Sequence, residues 1–401
     1  MKIVIIGNCT RSLVLFRGKL IERFVQLGHT VIAYAPEKDS ETEATLELIG
    51  AEFRQLSFNR TGTNVFNDFE LILRIRKILL LEKADIVLSY TIKPVIYGSI
   101  AARLAGVRRV YSIITGLGYV FIGTGITKNI LRFMVSQLYK VALSLSTKII
   151  FLNRDDKKLF LDSGLIDDSL KDYQIYGEGI DINDYKKISI EKSFVINGSG
   201  IDLIKYSNSN SNSNSNSNSN TDRIIIFLLI ARLLKDKGIR EYVEAARITK
   251  EKYPFAQFWI VGPYDSNPAA ISLEQVEQWV QDGFIIFHGE TMDVRPYIDA
   301  SSVYVLPSYR EGVPRTVLEA MAMNKPIITT NAPGCRETVE DGVNGFLVPI
   351  KDAQAIASAM EQFILYPELI EKMGNSSRMI VEERFDVHKV NDNILHIMEL
   401  I

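Results

Sequence analysis

Short continuous apolar runs alternate with helical patterns along most of this chain, and that alternation restricts the fold more than any other feature. The runs are Ile3–Ile6, Thr30–Tyr34, Asp85–Ser89, Val110–Ile114, Lys148–Leu152, Ile224–Ile230, Phe258–Val261, Val303–Leu306 and Pro326–Thr329. An apolar run of this length, bounded by polar residues, reads as a strand covered on both faces. Strands alternating with helices predict an α/β architecture of parallel sheets with helices on both sides. At 401 residues with 47% apolar content, the chain can bury a large core, and two domains are expected rather than one.

Two stretches carry candidate chemistry. In Ser308-Tyr-Arg-Glu-Gly-Val-Pro-Arg-Thr-Val-Leu-Glu319, two carboxylates bracket a Gly312-Val313-Pro314 turn that should open a helix. Pro314 suits the first helical position, where its missing N–H costs nothing. The amides of Arg315, Thr316 and Val317 would then point outward, ready to hold a phosphate. Glu311 falls in the loop at a strand's carboxyl end, where open α/β sheets bind ligands. Glu319 lies about 7–8 Å further along the helix axis, at 1.5 Å per residue. One acid could address a sugar and the other a ribose. Taken alone, such a pair is usually no more than solvated surface charge; it gains force from the second stretch.

The second stretch begins at Ile224–Ile230 and continues through Ala231-Arg-Leu-Leu-Lys-Asp-Lys-Gly238 into a helix patterned on Ile239, Tyr242, Val243 and Ala246. Arg232 and Lys237 at the end of a central parallel strand suit a diphosphate, the first as a fork and the second as a point charge. A pair of surface cations is the plainer alternative. It carries less weight because both loops should open onto the same edge of one sheet.

Ala231-Arg-x-x-x-x-Lys-Gly238 together with Glu311-x7-Glu319 resembles the donor site of family 4 glycosyltransferases, retaining enzymes of the GT-B fold. The resemblance extends to Asn197-Gly-Ser-Gly-Ile-Asp202, His288-Gly-Glu290 and Gly342-Val-Asn-Gly-Phe-Leu347. Thr91-Ile-Lys-Pro94 and Thr115-Gly-Leu-Gly-Tyr119 are similar to the branch that adds amino sugars to polyprenyl-diphosphate-linked saccharides. Many relatives carry a His near Thr115-Gly116; this chain has none there, so no catalytic His is assigned.

The resemblance implies two Rossmann-like domains with parallel sheets facing a central cleft. Residues 1–196 would bind the acceptor, 197–221 would form the crossover and linker, and 222–380 would bind the nucleotide sugar. Residues 381–401, including the helix Val387–Leu400, would pack back on the first domain. The implied catalytic residues are Glu311, Arg232 and Lys237. The donor would be held by Glu319, Gly312, Val313, Arg315, Thr316, Gly262 and Glu290. Gly7, Asn8, Thr10, Arg17, Lys93, Thr115, Gly116, Gly118 and Tyr119 would face the acceptor. The implied partners are a UDP-sugar donor and a polyprenyl-diphosphate-linked acceptor, with no metal and no cofactor. The sugar moved would be an N-acetylated hexosamine, in the assembly of capsule, lipopolysaccharide or another cell-surface glycan.

Other classes fit the sequence less well. Gly7-Asn-Cys-Thr-Arg-Ser12 lacks the G-x-G-x-x-G spacing of a dinucleotide site, which argues against an NAD-dependent enzyme. No Walker loop or metal-ligand spacing appears, and His29, His288, His388 and His396 are scattered. Cys9 and Cys335 form no framework, which favours a reducing cytoplasm. Few apolar residues precede Asn8, so no signal peptide is expected, and no apolar run approaches a membrane span. Two rivals remain: a non-hydrolysing nucleotide-sugar epimerase of the same fold, and a catalytically silent scaffold in a glycan-assembly complex. The complete Arg232, Lys237, Glu311 and Glu319 set argues against silence.

Ser207 to Asn220 is a pure Ser-Asn repeat that cannot fold onto a core. It reads as a tolerated surface insertion, since loop length costs little free energy, although a hinge is the functional alternative. The near-duplicates Gly179-Ile-Asp181 and Gly200-Ile-Asp202 both fit a crossover, and the second fits the family pattern better.

Charge is divided between the halves. Residues 1–172 hold 24 Lys and Arg against 17 Asp and Glu, whereas the remainder holds 22 against 31, for a net charge of −2. Residues 86–154 contain no acid and nine cations: Lys93, Arg103, Arg108, Arg109, Lys128, Arg132, Lys140, Lys148 and Arg154. With the interleaved Tyr119, Phe121, Phe133 and Met134, such a surface suits an anionic membrane and a lipid diphosphate. A core helix with a solvated basic rim is an equal alternative. No nucleic-acid motif accompanies the charge. The expected location is cytoplasmic, peripheral on the inner face of the cell membrane.

Overall fold

The structure is a computed structural model that describes residues 1–59, 65–116, 126–167, 172–185, 193–197, 200–204, 224–265, 267 and 269–401. The Ser-Asn tract, Gly118 and Tyr119 lie outside the described residues. The chain forms two compact units, one of Met1–Gly179 with Phe385–Ile401 and the other of Ile180–Arg384.

Unit one is built on strands β1 (Lys2–Ile6), β2 (Thr30–Ala35), β3 (Glu52–Gln55), β4 (Ile86–Tyr90), β5 (Arg109–Ile114), β6 (Lys148–Phe151) and β7 (Asp172–Gln174). They form one parallel sheet in the order β3-β2-β1-β4-β5-β6-β7. The period-two alternation of a strand divides its core. Val4, Ile6, Ile32 and Val87 meet Leu71, Ile75 and Leu79 of the helix Val65–Glu82 on one face. Ile3, Ile5, Val31 and Leu88 meet Leu20, Ile21 and Phe24 of the helix Gly18–Gln26 on the other. That second layer is completed by Val390, Ile394, Leu395 and Met398 of the C-terminal segment, so the helix Val387–Ile397 belongs to unit one.

Within the span of unit two, β8 (Ser193–Asn197) pairs antiparallel with β9 (Gly200–Ile204). The chain leaves unit one at Gly179 and not at the Asn197–Asp202 stretch preferred from the sequence. Gly179 explains why the first Gly-Ile-Asp copy is the crossover. Its φ is +72°, and a Cβ there would sit 2.7 Å from the Val387 backbone, so the outgoing and returning chains meet where only glycine fits.

Unit two holds β10 (Ile226–Ile230), β11 (Gln257–Val261), β12 (Ile286–Phe287), β13 (Val303–Leu306), β14 (Ile327–Thr330) and β15 (Gly345–Val348). The sheet is again parallel, in the order β12-β11-β10-β13-β14-β15. The helix Ile239–Lys252 buries Ile239, Tyr242, Val243 and Ala246 against it, the four positions its sequence pattern predicts. In both units the strand order reverses direction at one point, between β1 and β4 and between β10 and β13. Crossovers depart to opposite sides there, which leaves the carboxyl ends of those two strands open to a ligand.

Candidate active site

The residues singled out in unit two gather at the β10/β13 reversal. After β10, the chain passes Ala231 and Arg232, makes a short 3-10 turn at Lys235–Lys237, and enters its helix through Gly238 at φ +69°. A Cβ on Gly238 would lie 2.1 Å from the Pro307 carbonyl oxygen, so glycine lets the loop after β10 lie against the loop after β13. Hydrogen bonds reinforce this: Tyr309 N–H and Ser308 Oγ both donate to the Asp236 carbonyl, at 2.8 and 3.1 Å.

That contact brings Lys237 to Glu311, with Nζ donating to Oε1 at 2.6 Å. Burial opposes the ammonium charge, but the Glu311 carboxylate, helped by Asp236, outweighs it and holds the Lys237 pKa above its usual value. Glu311 itself is supported from behind. Its N–H donates to the Pro333 carbonyl at 3.0 Å, and Gly334, at φ +77°, leaves no room for a Cβ beside the Glu311 and Gly312 carbonyls. Arg232 extends outward, more than half exposed, and donates to Asp265 at 2.9 Å.

The helix predicted after Pro314 runs Arg315–Ala322. Pro314 precedes its first residue, at ψ 113°, instead of occupying the first helical position. Its carbonyl accepts the Val317 N–H at 3.1 Å, so Val317 drops out of the expected trio of free amides. Thr316 Oγ1 accepts a hydrogen bond from Tyr304, whose hydroxyl also lies 3.1 Å from the Ile230 carbonyl and ties β10 to the helix start. Glu319 is only 6% exposed. Burial pushes its carboxyl up, while Arg315 and Tyr185 hold it down by donating to Oε1 at 3.0 and 2.9 Å.

Gly262 and Glu290 lie at the same edge, beyond β11 and β12. Gly262 has φ +149° and would place a Cβ 1.9 Å from the Ala231 carbonyl, and its N–H donates to the Gly289 carbonyl at 2.8 Å. Glu290 is exposed beside it. His288, two residues earlier, packs between Trp259 and Tyr297 with centroids 4.8 and 5.1 Å away. Burial lowers its pKa to about 4, and Nε2 is buried without a hydrogen-bond partner.

In unit one the candidates fall after β1, β4 and β5. Gly7 is closed in by Tyr90, whose hydroxyl would be 2.3 Å from a Cβ, and Asn8 is partly exposed next to it. Thr10 is buried and bonded to Glu37, through both the backbone carbonyl at 2.7 Å and the carboxylate. Arg17 is 1% exposed, paired with Glu178 at 2.7 Å and stacked 5.0 Å over Tyr90. It therefore shapes this edge from beneath and presents no charge to solvent. Thr91 follows β4 at φ +69°, and Lys93 then pairs with Asp68 at 3.1 Å before a one-turn π-helix at Pro94–Gly98. Gly116 has φ +138°, with Thr115 partly exposed before it.

Comparison with known proteins decides the class. Residues 224–365 match the family described as "Glycosyl transferases group 1", and residues 3–153 match "Glycosyl transferase 4-like". The chain belongs to the glycosyltransferases. This glycosyltransferase is 28% identical over 357 residues to N,N'-diacetylbacillosaminyl-diphospho-undecaprenol alpha-1,3-N-acetylgalactosaminyltransferase of Campylobacter jejuni, covering 89% of this chain and 88% of that one. It is 25% identical over 339 residues to UDP-Gal:alpha-D-GlcNAc-diphosphoundecaprenol alpha-1,3-galactosyltransferase of Escherichia coli, covering 82% and 79%. The crystal structure of Anabaena Alr3699/HepE in complex with UDP superposes with a TM-score of 0.73, at 17% identity over the whole of both chains. The glycosyltransferase therefore has the GT-B fold.

Two features of the glycosyltransferase's edge in unit two were not read from the sequence. Tyr185 stands 134 positions before Glu319 in a segment without a motif, so no spacing could reveal their contact. Asp265 was likewise missed as the partner of Arg232, although an acid shortly after a predicted strand end was a usable signal.

Proposed function

We propose that this glycosyltransferase is a retaining, family 4 enzyme that moves an N-acetylated hexosamine from a UDP-sugar to a polyprenyl-diphosphate-linked saccharide. The observation that carries the reading is the Lys237–Glu311 pair at the β10/β13 reversal, with Arg232 and the start of the helix Arg315–Ala322 on the same sheet edge. As the bond from the anomeric carbon to the diphosphate breaks, negative charge grows on the departing UDP. Lys237, Arg232 and the leading amides of the helix Arg315–Ala322 supply preorganised positive charge there. Glu311 orients the donor sugar, and Glu319 accepts the ribose hydroxyls. The printed names of the Campylobacter and Escherichia relatives support a diphosphoundecaprenol-linked acceptor, and the UDP complex of a protein with the same fold supports the nucleotide.

Collection of such an acceptor implies a membrane surface. Support comes from the helix Ile126–Ser144, which exposes Phe133, Met134, Leu138 and Val141 along one stripe beside the exposed Lys140. The nine-cation surface expected from the sequence is smaller than it looked. Arg103 donates to the Leu145, Val107 and Arg108 carbonyls, and Arg109 to those of Met398 and Glu399. Lys148 is buried against the Ile397 carbonyl and Glu399, and Lys93 is paired with Asp68. Arg103, Arg109 and Lys148 thus satisfy carbonyls where helices and strands begin or end.

The deciding experiment incubates the purified protein with a panel of UDP-sugars and a polyprenyl-diphosphate glycan extract. The expected product is the acceptor heavier by one N-acetylhexosamine, with the anomeric configuration of the donor retained. Release of UDP and an altered free sugar without acceptor would identify an epimerase instead.

A further inference from the structure

We infer that Tyr185 is a positioning residue of the donor site, fixing Glu319 so that its Oε2 is presented to the ribose hydroxyls. The inference rests on the donor-site reading, in which Glu319 is the ribose acceptor. Among the described residues, both hydrogen bonds that reach the Glu319 carboxylate end on Oε1, one from Tyr185 and one from Arg315. A carboxylate on a side chain only 6% exposed, with one oxygen doubly bonded and the other carrying no hydrogen bond among those residues, is an incomplete polar group. Such groups normally find a partner, and a pair of ribose hydroxyls supplies one.

Tyr185 is itself held. The Arg378 guanidinium, from the helix Glu368–Arg384, donates to the Ala322 carbonyl at 2.6 Å and reaches the Ile182 and Tyr185 carbonyls, each at 3.4 Å. Arg295 reaches the Asp184 carbonyl, also at 3.4 Å. The phenol therefore approaches Glu319 from a tethered backbone, and two donors converge on Oε1 of the carboxylate. Arg315 alone, four residues earlier on the same helix, would leave that oxygen with one donor among the described residues. Burial drives the Glu319 carboxyl up, and the Tyr185 hydroxyl is one of the groups opposing this.

Titration calorimetry of the full-length protein with uridine diphosphate and with its 2′,3′-dideoxy analogue tests the assignment. The wild type should prefer uridine diphosphate by about tenfold or more, the value of one to two hydrogen bonds to a charged group. Tyr185→Phe keeps the ring and removes only the donor. It should narrow that preference at least about threefold, leave binding of the dideoxy analogue within about twofold, and raise KM with kcat nearly unchanged. The pH below which uridine diphosphate affinity declines should also move upward. A wild type that discriminates while Tyr185→Phe discriminates equally well overturns the inference and leaves the donor-site reading standing. Equal loss of both ligands in the variant overturns it too, since that is the mark of a packing role. A wild type that binds both analogues alike removes Glu319 from the ribose, and the inference falls with that reading.

Discussion

Lys237 and Glu311, 74 positions apart in sequence, meet at 2.6 Å with each side chain only 16% exposed. Each neutralises the other in a place where neither charge would be well solvated alone. An incoming diphosphate would take over Lys237 and free Glu311 for the donor sugar. Glu311→Ala should therefore lower turnover at least ~100-fold, the usual cost of an electrostatic site residue. Glu319→Ala should instead raise the Kd for nucleotide with a smaller effect on kcat. Steady-state kinetics beside nucleotide titrations separate the two, and near-normal turnover in Glu311→Ala would refute its role.

Transfer should proceed without divalent metal. The proposed diphosphate site already offers Arg232, Lys237 and the positive end of a helix, which together can offset the charge that Mg²⁺ offsets elsewhere. Excess EDTA is expected to leave the rate largely intact. Loss of activity restored by Mg²⁺ would show that these groups are insufficient.

Gly334 should be intolerant of even one added methyl. Its Cβ would lie 2.2 Å from the Glu311 carbonyl and 2.4 Å from that of Gly312, at a φ of +77° that L-residues rarely adopt. Gly334→Ala must displace the loop carrying Glu311, at a cost of about 1–3 kcal/mol in stability. Turnover should fall at least ~10-fold more than the stability change explains, because misplacement of a catalytic group by an ångström is expensive. Urea unfolding and kcat measured on the same preparation decide this.

Membrane attachment, if it uses the helix Ile126–Ser144, should be weak and salt-sensitive. Each surface cation contributes about 1 kcal/mol toward anionic lipid, and inserted Phe133 and Met134 add an apolar part. The protein should sediment with anionic vesicles at low salt and be released at high salt. Lys128→Glu/Arg132→Glu/Lys140→Glu should remain in the supernatant, and undiminished binding by that variant would move the contact elsewhere.

His288 should impose an acid limit on stability. Burial lowers its folded-state pKa to about 4, whereas the unfolded residue titrates near 6.5. Below about 6.5 the unfolded state takes up a proton that the folded state refuses, so stability falls as pH drops from there toward 4. In His288→Gln that part of the decline should disappear. Melting temperatures across this range check it, and parallel curves for the two proteins would assign the acid limit to other groups.

The two sheets were legible because their central strands are covered on both faces. Runs such as Ile3–Ile6 and Val303–Leu306 have no polar residue to interrupt them, and each became a strand. The edges were not legible. Glu52–Gln55, Asp172–Gln174 and Ile286–Phe287 are short, and the first two are rich in polar residues, as edge strands that avoid further pairing tend to be. Arg232, Lys237, Glu311 and Glu319 stood out through spacing within single stretches. Tyr185, Asp265 and Gly334 act across loops, and only the folded chain brings them to Glu319, Arg232 and Glu311.

Because Phe385–Ile401 completes unit one, that unit is interrupted in sequence by the whole of unit two. A ribosome therefore finishes unit two while unit one still lacks Val390, Ile394, Leu395 and Met398, which pack in one cluster with Ile5, Ile21 and Phe24. During synthesis the first unit must wait with an apolar layer uncovered, and it closes only when the last segment emerges. The segment that packs over the layer holding the first strand is thus made only after the whole of unit two.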